Sequence, residues 1–179
     1  MFSTARRWVH LIGMAILVFT ASPSRAEGHP DFTGVWHLDL DASESLNGVL
    51  EAQGRSWAER KLADQVAPTQ TVAQSPETLI IDIDMMVKHT RDVLHLNGQW
   101  ETLDGKDAGE MTFRTFWSDD GQKLISESKM VFANGEPGMM FSTRSLSPDG
   151  KTTYLLLELK QDDGTYARSM RVLRKVEND

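Results

Sequence analysis

Alternation of apolar and polar side chains is the main pattern after residue 30. Trp36 and Leu38 alternate with His37 and Asp39, which is the period of a strand with one buried face, and we expect Trp36 in the core. Turn-forming pairs, chiefly Asn-Gly and Asp-Gly, then recur at regular spacing with strand-like runs between them. The best runs are 78–86, 110–118, 123–132, 139–146, 152–160 and 165–176. Because nearly every connection has hairpin length, the strands should be sequential antiparallel neighbours.

This spacing predicts one all-β domain over residues 27–179, with no linker or low-complexity stretch inside it. We predict an antiparallel up-and-down β-barrel of eight to ten strands, because closing a meander into a barrel removes its exposed edges. A two-layer sandwich fits the same turn spacing and stays open as the alternative architecture. The short loops favour the barrel.

A helical period interrupts the strands once, directly after the first strand. Ser43 or Ser45 is predicted to cap a short helix that a glycine then ends, and a second short helix carries Trp57 and Leu62. We therefore predict a helix-turn-helix over about residues 43–65, between the first two strands.

Residues 1–26 have the pattern of a cleavable secretory signal. Arg6 and Arg7 precede an apolar stretch of roughly twelve residues, and Ser24-Arg25-Ala26 has the small-x-small form of a cleavage site. That stretch is shorter than the ~20 residues that cross a bilayer, so we expect no stable membrane insertion. The sequence predicts export to the periplasm or the medium, and the arginine pair leaves the general and twin-arginine routes both open.

The charge and composition of the chain argue against some classes of binding partner. The formal net charge is -7, and loss of the signal, with its three arginines and no acid, makes it more negative. An acidic surface repels polyanions, which argues against nucleic acid and against purely electrostatic contact with anionic lipid. The chain has no cysteine, so its core alone must stabilise the fold. We expect a monomer or a weak homodimer.

Motifs for metal, nucleophilic or phosphate chemistry are absent from the sequence, which therefore indicates neither a metal site nor a cofactor. The residues left for acid–base chemistry are His95, Asp82 and Tyr154, which would act together if hairpins brought them inside the barrel. Against this, Asp82 alternates with Ile81 and Ile83, which is typical of a solvated strand face. A cofactor-independent isomerase, hydratase or lyase is the alternative function.

Two segments resemble a known family. Phe32-Thr33-Gly34-Val35-Trp36 is similar to the Phe-x-Gly-x-Trp motif that opens barrels of the calycin superfamily, the fatty-acid-binding-protein-like group in particular. Residues 43–69 resemble the helix-turn-helix lid of that group in order and spacing. The hairpins also look like those of exported bacterial lipocalin-like proteins. The resemblance implies a carrier that holds a small hydrophobic or amphipathic molecule in its barrel cavity.

The resemblance also implies two ligand-binding arginines. Arg144 and Arg171 fall near positions where many fatty-acid-binding proteins hold a carboxylate, which a guanidinium can bind through two hydrogen bonds. The chain departs from the family's Arg-x-Tyr pair, since it has Arg171-Val172-Leu173. Strand parity does not say which side chains face inward, so a surface arginine paired with an acid stays open in both cases.

Apolar side chains supply the remaining candidates. Trp57 and Leu62 of the lid are predicted to form an apolar portal that the ligand crosses, although a helix that merely packs on its own barrel has the same pattern. Trp117 lies in an aromatic strand, and Met140 shares strand parity with Arg144. We predict that Trp117 and Met140 line the ligand cavity.

Overall fold

The computed structural model describes residues 28–85, 88–104 and 110–177. The predicted signal, residues 1–26, lies outside the described residues. The described chain forms two short helices and ten strands: β1 (Gly34–Leu38), α1 (Asn47–Ala52), α2 (Trp57–Ala63), β2 (Thr69–Gln74), β3 (Thr78–Met85), β4 (Lys88–His95), β5 (Glu101–Asp104), β6 (Glu110–Trp117), β7 (Lys123–Val131), β8 (Pro137–Leu146), β9 (Thr152–Gln161) and β10 (Tyr166–Lys175).

All ten strands belong to one antiparallel sheet, in the order β4-β3-β2-β1-β10-β9-β8-β7-β6-β5. Successive strands pair along the chain except β4 and β5, and β1 also pairs with β10, where Trp36 lies opposite Lys175. The predicted all-β up-and-down architecture of eight to ten strands is confirmed, and the sandwich is excluded. The sheet curls into a barrel. The barrel is open, because β4 and β5 are the two edges of the sheet and do not pair with each other.

Two apolar clusters hold the curled sheet together. In the first, Phe32 and Trp36 are fully buried, and Trp36 Nε1 donates a hydrogen bond to the Phe32 carbonyl at 2.8 Å. The second consists of Val49 of α1 with Phe132 and Leu159. The expected core position of Trp36 is confirmed, and α1 packs on the sheet through its one buried residue.

The helix-turn-helix between β1 and β2 is also confirmed, but its caps differ from those expected. The residue that precedes α1 is Leu46, which makes no side-chain cap. Ser45, one residue earlier, nevertheless accepts a hydrogen bond at its Oγ from the backbone N–H of Asn47, the first residue of α1, at 2.9 Å. Of the two serines predicted to cap the helix, Ser45 thus bonds its first N–H and Ser43 does not. Ser43 Oγ instead bonds the Asp39 carbonyl, and accepts from the Val172 backbone N–H, at 2.5 and 3.0 Å. Binding β10 in this way takes Ser43 out of reach of the helix.

The two helices are held very differently. The carbonyl of Ala52, at the end of α1, accepts hydrogen bonds from Asn134 Nδ2 at 3.2 Å and from Gln161 Nε2 at 2.8 Å. By contrast, α2 has no buried residue and begins with a capping box between Ser56 and Glu59. Thus α1 is tied to the strands, whereas α2 covers the interior loosely. Neither helix of the described chain has the length and apolarity needed to cross a membrane.

Candidate ligand-binding site

The strand register turns Arg144 and Arg171 into the barrel. Both lie opposite Leu155 of β9, Arg144 from β8 and Arg171 from β10, so the three side chains emerge on one face of the sheet. Two strand spacings place the Cα atoms of the arginines about 10 Å apart. Their exposed fractions are 5% and 4%. The sheet therefore carries two buried cations on its inner face.

Arg144 is a buried cation without a carboxylate. Its Nη2 donates to Oε1 of Gln70 on β2 at 3.0 Å, and its Nη1 has no partner among the described residues. The guanidinium also lies 5.9 Å from the centre of the Phe32 ring. Desolvation lowers the pKa of Arg144 to about 10, so the group remains charged at neutral pH.

Arg171 lies beneath the lid. Its Nη1 donates to the backbone carbonyl of Glu44, while its Nη2 is buried and has no partner within the described ranges. Desolvation lowers the pKa of Arg171, and the Asp64 carboxylate opposes that shift in part. Asp64 also accepts hydrogen bonds from Ser45 Oγ and the Leu46 N–H, at 2.8 to 3.0 Å. The Asp64 carboxylate thus already has hydrogen-bond partners within the lid.

A cavity of about 200 Å³ lies under the lid and against Arg171. Leu46, Ala63 and Val66 line it from the lid side, and Leu155 and other apolar side chains line it from the sheet. Its polar lining side chains are Gln70 and Arg171.

The polar groups of this cavity are hydrogen-bond donors. Since Arg144 occupies the carbonyl oxygen of Gln70, the Gln70 amide can offer its N–H groups to the cavity. The free Nη2 of Arg171 is also a donor. An apolar cavity whose polar groups are donors, one of them cationic, is complementary to a carboxylate or another anionic head.

A second cavity, of about 450 Å³, lies between β4 and β6, where the sheet does not close. Leu94, Leu103, Met111 and Phe113 give it apolar walls. Asp92 of β4 also lines it, and burial raises the pKa of the Asp92 carboxyl. The interior thus has an arginine-lined part under the lid and a larger part at the open edge.

Solved structures share this architecture. The REP1-NXSQ fatty acid transporter matches with a TM-score of 0.64 at 18% identity, over 82% of this chain and 97% of that one. Human cRBP IV matches with a TM-score of 0.61 at 18% identity, over 82% and 98%. Fatty-acid-binding protein 1 of Echinococcus granulosus matches with a TM-score of 0.59 at 17% identity, over 82% and 98%.

The chain shares the fold of these proteins. These matches confirm the architecture implied by the sequence resemblance, including the two helices between the first and second strands. No protein-family model matches the sequence. No curated protein matches it either. At such low identity the likeness concerns the fold, and one fold can host more than one function.

The residues proposed for catalysis lie apart on the outside of the barrel. Asp82 pairs with Arg91 in the β3–β4 register and His95 with Thr78, so His95 and Asp82 are four residues, about 13 Å, apart along the sheet. His95 Nδ1 lies 2.7 Å from Glu101 Oε2. Tyr154 of β9 is 40% exposed. The structure does not bring the three together.

The lid residues named from the sequence face away from the cavity. Trp57 and Leu62 are 67% and 59% exposed, and neither lines the space against Arg171. The lid side chains that do so are Leu46, Ala63 and Val66. The difference arises because α2 turns Trp57 and Leu62 outward and faces the cavity with Ala63.

Trp117 and Met140 face inward but belong to packing contacts. The Trp117 ring stacks on His29 at 4.1 Å and lies 6.1 Å from the Phe32 ring. Met140 packs against the cluster around Val49. Neither side chain lines the cavities described above.

Sequence reasoning missed Gln70 and Asp92. Gln70 lies in the polar run Thr69–Gln74, and Asp92 lies in Lys88–His95, which is polar on both faces. The signal that identifies them is register: Gln70 pairs with Trp36, and Asp92 with Ile81, and both partners are buried. No three His, Asp or Glu side chains in the described part of the chain group as a metal site would require.

Proposed function

We propose that this protein is an exported carrier of a small amphipathic carboxylic acid, held inside the barrel with its carboxylate under the lid. One observation carries the proposal. The cavity against Arg171 is apolar except for hydrogen-bond donors. Two guanidinium nitrogens, Nη2 of Arg171 and Nη1 of Arg144, are buried and lack partners among the described residues. Arg144 has no carboxylate partner and Asp64 offsets the desolvation of Arg171 only in part, so a bound carboxylate lowers the cost of burying these cations.

The remainder of the ligand needs more room than the lid cavity provides. About 200 Å³ is below the range typical of small-molecule pockets, which begins near ~300 Å³. This space suits the head and first carbon atoms, while the cavity of about 450 Å³ at the open edge takes the rest of the chain. Burial of that chain at ~25 cal/mol per Å² supplies most of the affinity.

The proposed location follows from residues 1–26 and their secretory pattern. Cell fractionation and amino-terminal sequencing of the purified protein test it. Mature chains that begin at about residue 27 in the periplasm or the medium are the expected result, and an intact chain in the cytoplasm would reject export.

The carrier proposal is tested by pairing ligands that differ only in the head group. We expect octadecanoic acid to displace a fluorescent probe such as anilinonaphthalene sulfonate at least tenfold more effectively than octadecanol, because a charge-assisted hydrogen bond to an arginine contributes about 1.5–3 kcal/mol. Arg171→Leu should abolish that preference. Equal affinity for the acid and the alcohol in the unmodified protein would reject the carboxylate assignment.

The matched control is Arg168→Leu. Arg168 lies on the same strand with the opposite parity, is exposed, and reaches Glu44 Oε1 only at 3.9 Å. Arg168→Leu removes one positive charge, as Arg171→Leu does, but from the outer face of the sheet. The preference for the acid should therefore persist.

A further inference from the structure

Asp92 is the acidic side chain that faces the larger cavity. Its register partner is Ile81, and Leu79 pairs with Leu94, so Asp92 and Leu94 share the inner face of β4. The cavity at the open edge is in contact with solvent, so Asp92 is accessible to water. The surrounding atoms nevertheless displace enough water to raise the pKa of its carboxyl.

The Asp92 carboxylate has no interaction partner among the described side chains. Asp92 has neither an ion pair nor a hydrogen bond to a side chain in the described ranges, and burial alone accounts for the shift of its pKa. Arg91, the next residue, has the opposite strand parity, also lines the cavity, and lies 3.7 Å from Asp82. The Asp92 carboxylate is therefore an acceptor without a described side-chain partner, beside the apolar walls of the cavity.

A hydroxyl faces the same cavity from the opposite wall. Ser126 and Ser128 of β7 both line it. Ser126 Oγ is 2.9 Å from Thr115 Oγ1, whereas Ser128 has no side-chain hydrogen bond among the described residues. A ligand hydroxyl can donate to a carboxylate and accept from a serine, whereas an ammonium group can only donate.

We propose that Asp92 and Ser128 form a second polar subsite, which binds a hydroxyl on the chain of the carboxylic acid held at Arg171. This inference rests on the proposed carrier function and narrows the cargo to hydroxylated long-chain acids.

The separation of the two subsites sets the position of the hydroxyl. The pairings of Trp36 with Lys175 and Gln70, of Gln70 with Ile83, and of Ile83 with Thr90 relate β10 to β4. By this register Asp92 lies four strands and six residues from Arg171, which is about 20 Å along the strand direction. The hydroxyl is therefore well separated from the carboxylate along the chain.

Three acids test the subsite by titration calorimetry: octadecanoic acid, 12-hydroxyoctadecanoic acid and 2-hydroxyoctadecanoic acid. We expect Asp92→Leu to weaken the 12-hydroxy acid about tenfold, the usual effect of losing a hydrogen bond to a charged group, and to leave octadecanoic acid within about twofold. The 2-hydroxy acid should follow octadecanoic acid. Asp92→Asn, which keeps an acceptor oxygen, should lose less than Asp92→Leu.

Asp84→Asn is the control for the change of charge. Asp84 lies on the adjacent strand, is exposed on the outer face, and is 2.7 Å from His89 Nδ1. All three acids should bind this variant as they bind the unmodified protein.

The outcomes separate the two proposals. If Asp92→Leu shifts octadecanoic acid and the 12-hydroxy acid by the same factor, the subsite is overturned while the carrier function stands. If the unmodified protein binds none of the three acids, the carrier function itself fails, and the subsite fails with it.

Discussion

Arg144 of β8 donates a hydrogen bond to Gln70 of β2, 3.0 Å away, although four strand pairings separate β8 from β2 in the sheet. The curl of the sheet brings them together across the interior. Their contact has two effects: it gives the buried guanidinium its one side-chain hydrogen bond in the described chain, and it orients the amide of Gln70. The stability of the ligand-free protein and the proposed preference for a carboxylate therefore depend on the same pair.

The first prediction concerns that pair. Gln70→Leu should lower the free energy of unfolding of the ligand-free protein by about 1–3 kcal/mol, because it leaves a buried cation without its partner. The double change Arg144→Met with Gln70→Leu should restore or exceed the original value, since apolar replacements of buried polar pairs are often neutral or stabilising. Urea denaturation of the variants, treated as a double-mutant cycle, measures the coupling.

A double variant as unstable as Gln70→Leu alone would mean that the guanidinium is not the costly group. Arg114→Met is the variant with which the loss of Arg144 is compared. It also removes an arginine, but Arg114 has an acid partner, Glu127, with 2.6 Å between Nη2 and Oε2.

The second prediction concerns the turn that ends α1. Gly54 has a φ of 77°, and a Cβ there would lie 2.6 Å from the backbone nitrogen of Asn134. Gly135 has a similar φ of 87° with open space around it. Gly54→Ala should therefore cost at least about 1 kcal/mol more than Gly135→Ala, because both suffer the same backbone strain and only one also meets a neighbour.

Thermal or urea unfolding of the two variants measures this difference. Equal losses would show that α1 is not seated closely on the β7–β8 turn.

The third prediction separates the inner and outer faces of the lid. Val66 lines the cavity, whereas Trp57 is exposed. We expect Val66→Ala to speed the dissociation of a bound acid severalfold, because it widens the space between the lid and Arg171, and Trp57→Ala to leave the rate almost unchanged. Stopped-flow displacement measures both rates. Faster release from Trp57→Ala than from Val66→Ala would restore the portal assigned to Trp57.

The fourth prediction is a pH dependence on the outer face. The hydrogen bond to Asp84 raises the pKa of His89 above its ordinary value. A raised folded-state pKa stabilises the protein fully below the unfolded-state value, near ~6.5, and this contribution disappears as the pH rises through the folded-state pKa. His89→Gln should thus lower the free energy of unfolding at pH 5.5, with the difference shrinking towards pH 8.5.

Urea denaturation at several pH values checks this, with Asp84→Asn as the second variant. Asp84→Asn should remove the same pH-dependent contribution. A difference between the unmodified protein and His89→Gln that grew with pH would contradict the assignment.

Turn chemistry and alternation made the fold predictable from the sequence. Asp149-Gly150 fixes a hairpin between β8 and β9, and the alternating residues of β1 identify a half-buried strand. Strands β2, β4 and β5 were harder to delimit, because their inner faces carry polar side chains such as Gln70 and Asp92. The positions of these strands in the sheet depend on pairing with strands that carry apolar residues, and the sequence alone does not show this pairing.

The site was predictable only in part, for a related reason. Arg144 and Arg171 stood out because the family resemblance pointed to them, but their direction required the register against Leu155. Trp57 was misleading, because the apolar pattern of α2 does not say which of its faces lies against the barrel, and Trp57 is 67% exposed. Local sequence determines the elements, whereas the curl of the sheet determines which side chains meet inside.

The pairing of β1 with β10 has a consequence for the time course of folding. Trp36 meets Lys175, so strands from near opposite ends of the described chain become neighbours in the middle of the sheet. Contacts between residues so distant in sequence form slowly, because a long loop must close before they are gained. The hairpins on either side can form early, but the barrel cannot curl shut until its last strand has been synthesised.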